Sequence, residues 1–188
     1  MKAKIISAFP ACGKSTYYKE WSQHSKDNVW RREADGNQVF DSNGEPIGDR
    51  ILDSDSSLFS WIYDENGNKT DVRNPDFPNN YIQHIKEHMD TEDVIFVSSH
   101  KAVRDALQKE GIPYCLIYPA KEMKQEWLCR FRERGNDESF IQFQNEHWEE
   151  FIDDMDKETY PEKIKFNWDG PHAITVTLMN SLLNTVEC

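Results

Sequence analysis

Apolar residues gather in short, nearly unbroken runs, and longer stretches between them repeat at helical spacing. Lys2 to Phe9 centres on Ile5 and Ile6, Val94-Ile95-Phe96-Val97 holds no polar position, and Tyr114-Cys115-Leu116-Ile117-Tyr118 is similar. Runs of this kind are buried on both faces within a parallel sheet. Shorter strands are predicted over Asp49 to Asp53 and, as the last strand, over Ala173 to Leu178. Helical spacing covers 14–24, then about 79–89, where Tyr81, Ile82, Ile85 and Met89 share a face. It returns at about 101–110, ending at Gly111 in the C-cap position. A long helical stretch, 121–134, breaks at Gly135-Asn136-Asp137 and resumes over 138–156, with a terminal helix after the last strand. Leu58 to Ile62 predicts a short helix, and Asp64 to Asn68 a turn. Strands alternating with helices predict right-handed crossovers. The expected fold is α/β: a mostly parallel sheet of about five strands in a three-layer αβα arrangement.

The length of 188 residues suits one such domain. Residues 28–48 carry Gly36, Gly44, Pro46 and Gly48 among polar neighbours, and predict an exposed excursion from it. No apolar run approaches the roughly 20 residues needed to span a bilayer, and the N-terminal residues lack the pattern of a secretory leader. The expectation is a cytoplasmic protein with no membrane partner. A net charge of −12, from 22 basic and 34 acidic side chains, repels phosphate backbones and disfavours nucleic acid as a partner. Cys12, Cys115, Cys129 and Cys188 have neither zinc nor disulfide-framework spacing, and read as free thiols.

The sharpest chemical signal is Ala8-Phe9-Pro10-Ala11-Cys12-Gly13-Lys14-Ser15-Thr16. It lies where the first strand should turn into the first helix, the context in which backbone N–H groups and a helix N-terminus can cradle a phosphate. The pattern GxxxxGK[ST] is met except at its first position, where Ala8 replaces glycine. Residues Ala11 to Thr16 would then bind the nucleotide. Lys14 would supply charge to the β- and γ-phosphates, Ser15 would ligate Mg²⁺, and Thr16 would support an α-phosphate contact. Cys12 is either an oxidation-sensitive thiol beside Lys14 or a small residue that the loop tolerates.

With FPACGKST, the segments ILDSDSS, VIFVSSH and RFRERGN resemble the P-loop kinases of small metabolites and nucleotides, including shikimate, gluconate, adenylate and polynucleotide 5′-kinases. The chain is especially similar to nucleotide-kinase-like proteins of bacteriophages. The resemblance spans residues 1 to about 136, and only the first segment is specific on its own. It implies an ATP- and Mg²⁺-dependent kinase, with a nucleoside or nucleoside monophosphate as the acceptor. The shikimate and gluconate kinases carry Asp-x-Asp at the end of the second strand, which Asp53-Ser54-Asp55 matches. Asp53 would contact the acceptor hydroxyl and Asp55 would help hold magnesium. The alternative is that Asp55, with Ser56 and Ser57, caps a short helix. The resemblance also implies an arginine-bearing lid over 121–140, with Arg130 and Arg134 on one helix face and Arg132 pointing elsewhere. The competing reading is a solvated basic face paired with Glu126, Glu133 and Glu138.

Ser99 and His100 follow the third strand and are candidate substrate contacts, with Ser99 as helix cap the plainer reading. Arg73 is the basic candidate between the second and third strands. No acidic residue ends the third strand, a departure from the family that leaves the orienting acid for magnesium to Asp53 or Asp55. Two alternatives stand beside the leading reading. One is a kinase of a DNA 5′ end or hydroxymethylated base, with a groove including Arg31, Arg32, Arg50 and Arg73. The other is an ATP-binding switch protein without turnover.

Overall fold

The computed structural model describes residues 2–24, 42, 50–170, 173–175, 178, 179, 181 and 182. The excursion expected at 28–48 lies outside these residues apart from Ser42. The chain opens with β1 (Lys4–Ala8), α1 (Lys14–His24) and β2 (Ile51–Asp53). A short helix, α2 (Ser57–Ser60), leads into a hairpin of β3 (Trp61–Tyr63) and β4 (Lys69–Arg73). Then follow α3 (Asn79–His88), β5 (Val94–Ser98), α4 (Lys101–Lys109) and β6 (Tyr114–Pro119). A 3-10 turn (Lys121–Met123) precedes α5 (Lys124–Glu133), α6 (Glu138–Glu146), α7 (Trp148–Lys157) and β7 (Glu162–Phe166).

Five strands form one sheet in the order β2-β5-β1-β6-β7, and every neighbouring pair is parallel. The apolar runs take the middle. Ile6 of β1 sits between Phe96 and Cys115, and Ile5, Ile6, Val94, Ile95, Phe96, Val97, Leu116 and Ile117 are all sealed from solvent. Each such side chain contributes about 1.5–3 kcal/mol on burial, which makes these three strands the stable centre of the molecule.

From β1 the chain moves outward to β2, and its next three crossovers all run the opposite way. Right-handed connections therefore put α1 on one face and α3, α4 and α7 on the other. The side-chain contacts agree. Tyr17 of α1 meets Phe96 edge-on, Lys86 of α3 pairs with Glu110 just after α4, and Arg104 of α4 pairs with Asp154 of α7. Because the connection after β1 leaves toward one face and those after β5 and β6 toward the other, β1 stands at the switch point of the sheet. Ligands sit at such a switch point in open α/β sheets.

Three elements differ from the sequence expectation. Among the described residues the last strand is Glu162–Phe166, and residues 173–175 form no strand. Among these residues β7 pairs with β6 alone, at the edge of the sheet, so its alternate lysines can face solvent. Lys165 reaches Asp156 at 2.5 Å, and Phe166 alone is fully buried. The alternation of Ile174 and Leu178 resembles a strand, yet the Leu178 amide donates to Thr175 Oγ1 and the Met179 amide to the Thr175 carbonyl, which starts a helical turn. Second, the helix predicted through Trp61 and Ile62 stops at Ser60, and the segment folds back on Lys69–Arg73 instead. Asp64 turns the chain there by accepting the amides of Asn66 and Asn68. Third, the stretch 138–156 breaks at His147. Its buried positions Ile141, Gln144, Trp148, Ile152 and Met155 keep helical spacing across the break, so the sequence gives no sign of it.

Candidate functional site

Residues 9–13 cross the carboxyl end of the sheet centre, and every carbonyl from 8 to 13 is taken up. Ala8 O accepts Lys14 Nζ at 2.5 Å, Phe9 O the Cys12 amide, and Gly13 O the Tyr17 amide. The remaining three are held from outside the loop. Trp127 Nε1 donates to Pro10 O at 2.9 Å, Arg130 donates to Ala11 O at 3.4 Å, and the Ile174 amide donates to Cys12 O at 2.8 Å. The amides of Ala11, Gly13, Lys14, Ser15 and Thr16 bond no acceptor among the described residues. Three of these open α1, where unpaired N–H groups and the helix dipole favour an anion.

Two residues bend the loop through the left-handed region, Ala11 at φ 63° and Gly13 at φ 98°. For alanine this costs about 1 kcal/mol. At Gly13 the backbone conformation disfavours any side chain, and a Cβ there would come into close contact with the Ile174 amide at 3.4 Å. Ala8, the departure from the glycine pattern, is the last residue of β1. It is buried in register with Ser98 and Ile117, in the ladder rather than the turn.

Lys14 is half-buried, and burial pushes its pKa below the usual lysine value. Asp53 and Asp55 oppose this shift and Arg134 adds to it. Cys12 is buried, with burial pushing its thiol up to about 12. Its Sγ points to the Ile117 carbonyl at 3.9 Å. A thiol this desolvated is not the oxidation-sensitive group considered from the sequence; it fills the core beneath the loop.

Asp53 ends β2, and the ladder continues one step as the Ser54 amide donates to Phe96 O. Tyr81 ties the ends of β2 and β5 together, since its hydroxyl donates to Ser54 O at 2.8 Å and accepts the Ser98 amide at 3.4 Å. Asp55 is exposed, and its Oδ1 accepts the Ser57 amide at 2.8 Å, the capping contact weighed from the sequence.

After β5, His100 rather than Ser99 caps α4, accepting the Ala102 amide on Nδ1 at 3.3 Å. Burial lowers the His100 pKa, and Arg73 and Arg104 lower it further. Ser99 is nearly buried, and its carbonyl accepts Arg104 Nε at 2.8 Å. Arg73 lies over the Trp61 ring at 3.7 Å, with Lys69 on the same ring at 4.4 Å. The hairpin thus leaves Arg73 near enough to His100 to lower its pKa, a proximity that no sequence pattern revealed. Lys101 is engaged with Asp105, and Arg50 with Asp93. Arg31 and Arg32 lie outside the described residues.

Arg130 stacks on Trp127 at 4.2 Å and pairs with Glu126, as well as touching the loop. Arg134 is exposed at the end of α5, close enough to Lys14 and Cys12 to affect both pKa values. Arg132 is exposed as well. The inner face of α5 is Trp127, Leu128 and Phe131, all buried. No sequence pattern pointed to Trp127, one turn before Arg130, or to Ile174, in the segment expected as the last strand, as partners of the loop.

Among the described residues no three His, Cys, Asp or Glu side chains form a metal-binding group. No helix of the described residues is long and apolar enough to cross a membrane. No protein-family model, curated protein or solved structure matches this chain.

Proposed function

We propose that the chain is a P-loop phosphotransferase that binds ATP with Mg²⁺ and phosphorylates a nucleoside or nucleoside monophosphate. One observation carries the reading: every carbonyl of the loop after the central strand is bonded, three of them to partners outside the loop, while five of its amides bond no acceptor among the described residues. An anion at a helix N-terminus with a lysine beside it is the chemistry such a loop supports. The central place of β1 in a parallel sheet supports the three-layer P-loop fold.

Bound ATP would supply the activated phosphoryl group. The chain's own residues would position and neutralise it, which is most of the catalysis in this reaction class. The amides of residues 11–16 and the Lys14 ammonium would hold the phosphates, and Ser15 would hold the metal. Asp53 would orient the acceptor hydroxyl and take its hydrogen bond, while Asp55 would hold metal-bound water. Arg134 would bring a second positive charge, and Arg130 would do so by leaving Glu126. Arg73, Ser99 and His100 would meet the acceptor. With Trp127 and Phe131 sealed in the core, α5 serves as a fixed wall, and the mobile part of the lid falls within about 134–140.

A second reading, an ATP-binding switch without turnover, draws on one feature. β5 ends in Ser98-Ser99-His100 with no acid, and Asp55 is already engaged by the Ser57 amide. Incubation with MgATP and a panel of nucleosides, nucleotides, sugars and DNA ends separates these readings. ADP formed only with a nucleoside or nucleoside monophosphate supports the kinase. ATP binding with no ADP from any acceptor supports the switch, and no ATP binding sinks both.

A further inference from the structure

A trans peptide is planar, so its C=O and N–H point in opposite directions. Whatever holds the Pro10 carbonyl outward therefore aims the Ala11 amide inward, and the Cys12 carbonyl fixes the Gly13 amide in the same way. The holder of Pro10 is the indole of Trp127, which lies 117 residues away. Its ring is wholly buried, tilted against Trp148 and Phe166 with centroids 6.4 Å away in both cases. A rigid, fully packed ring with one N–H can set a carbonyl's direction more firmly than Arg130, whose longer side chain also answers to Glu126.

We propose that Trp127 is a positioning residue for phosphate binding: its indole N–H turns the Pro10 carbonyl out of the loop and so presents the Ala11 amide to the anion. The proposal rests on the phosphate-loop reading above. The indole bond also holds the peptide leading into Ala11, whose left-handed backbone does not hold itself.

Trp127→Phe removes the donor and keeps most of the packing. Phe131→Leu, also fully buried on α5 and packed on Phe140, is the control for lost core volume. Affinity for inorganic tripolyphosphate, measured by calorimetry, should fall about tenfold in Trp127→Phe, the worth of one hydrogen bond. It should stay at the wild-type value in Phe131→Leu, with stability followed by urea unfolding in both. In the wild type, the Trp127 Nε1–H and Ala11 amide resonances should move together as tripolyphosphate is added. That measurement needs no variant to fold. Unchanged affinity in Trp127→Phe, an equal loss in Phe131→Leu, or a stationary indole resonance would overturn the proposal while leaving the loop reading intact. If wild-type protein fails to bind tripolyphosphate at all, the loop reading falls first and the proposal with it.

Discussion

Asp55 accepts the Ser57 amide at 2.8 Å, so the carboxylate proposed for the metal also starts α2. The two duties separate by substitution. Asp55→Asn keeps an acceptor oxygen for Ser57 and should fold normally while raising the Mg²⁺ concentration needed for half-maximal rate. Asp55→Ala should also lose about 0.5–2 kcal/mol of stability, the worth of a lost helix-start contact. Asp53→Asn, which breaks no such bond, should cut turnover by roughly a hundredfold with ATP affinity nearly unchanged. Initial rates over a magnesium series and urea unfolding distinguish the variants. Equal, mild kinetic effects at both positions would return Asp55 to a purely capping role.

Lys14 is expected to trade stability for function. Its ammonium is desolvated beside the loop, so Lys14→Met should abolish phosphoryl transfer and leave the unfolding midpoint equal to or above wild type. The pH dependence has a fixed sign. The folded-state pKa lies below the unfolded value of 10.5, so the unfolded chain holds the proton over a range where the folded chain has lost it. Wild-type stability relative to Lys14→Met should therefore rise as pH climbs toward 10.5. A stability of wild type relative to Lys14→Met that falls over that range would contradict the desolvation account.

Arg104 is almost wholly buried, yet it bonds Ser99 O and pairs with Asp154 and Glu158, joining α4, α7 and the end of β5. Tyr114 donates to the same Glu158. Arg104→Met should cost about 3–5 kcal/mol, because it strands the carboxylates it neutralises. Denaturant unfolding measures this. A loss below 1 kcal/mol would mean that solvent already screens the cluster.

Amide exchange should divide the arginine-bearing stretch in two. Residues 124–133 should be protected without ligand, because Trp127 and Phe131 anchor them in the core. Residues 134–140 should gain protection only with a non-hydrolysable ATP analogue and acceptor together. Fast exchange through α5 in the free protein would restore a lid of the full length expected from the sequence.

Thiol labelling tests the floor of the loop. In the folded protein a maleimide should mark exposed Cys129 and spare Cys12 and Cys115, whose thiols burial pushes up to about 12. Peptide mapping after a short exposure reads the order. Rapid labelling of Cys12 would show the loop opening far more than its packing suggests.

What the sequence disclosed depended on how each residue is held. Ile5, Ile6, Val94 to Val97 and Leu116 face core on both sides, so their strands stand out as apolar runs, and Gly111 marks the end of α4 because its φ of 66° suits a C-cap. The Gly13-Lys14-Ser15 motif was legible because local spacing alone defines it. β7 was not, since Lys163 and Lys165 on an edge strand need no apolar partner. Nor was the hairpin that carries Arg73 toward His100, because Trp61 and Ile62 suit a helix as well as a strand. Trp127 and Ile174 were invisible for a further reason. Their bonds to the loop join residues more than a hundred positions apart, and no local pattern encodes such a bond.

That separation sets an order of events during synthesis. At about 5–20 residues per second, Trp127 leaves the ribosome on the order of ten seconds after Pro10, and Ile174 later still. Throughout that interval the nascent chain carries the whole motif but lacks the donors that turn its carbonyls outward. A growing chain, or a fragment ending before α5, would hold the signature without the cradle. Nucleotide capture would then be a late property of the chain, acquired only when its final third has docked.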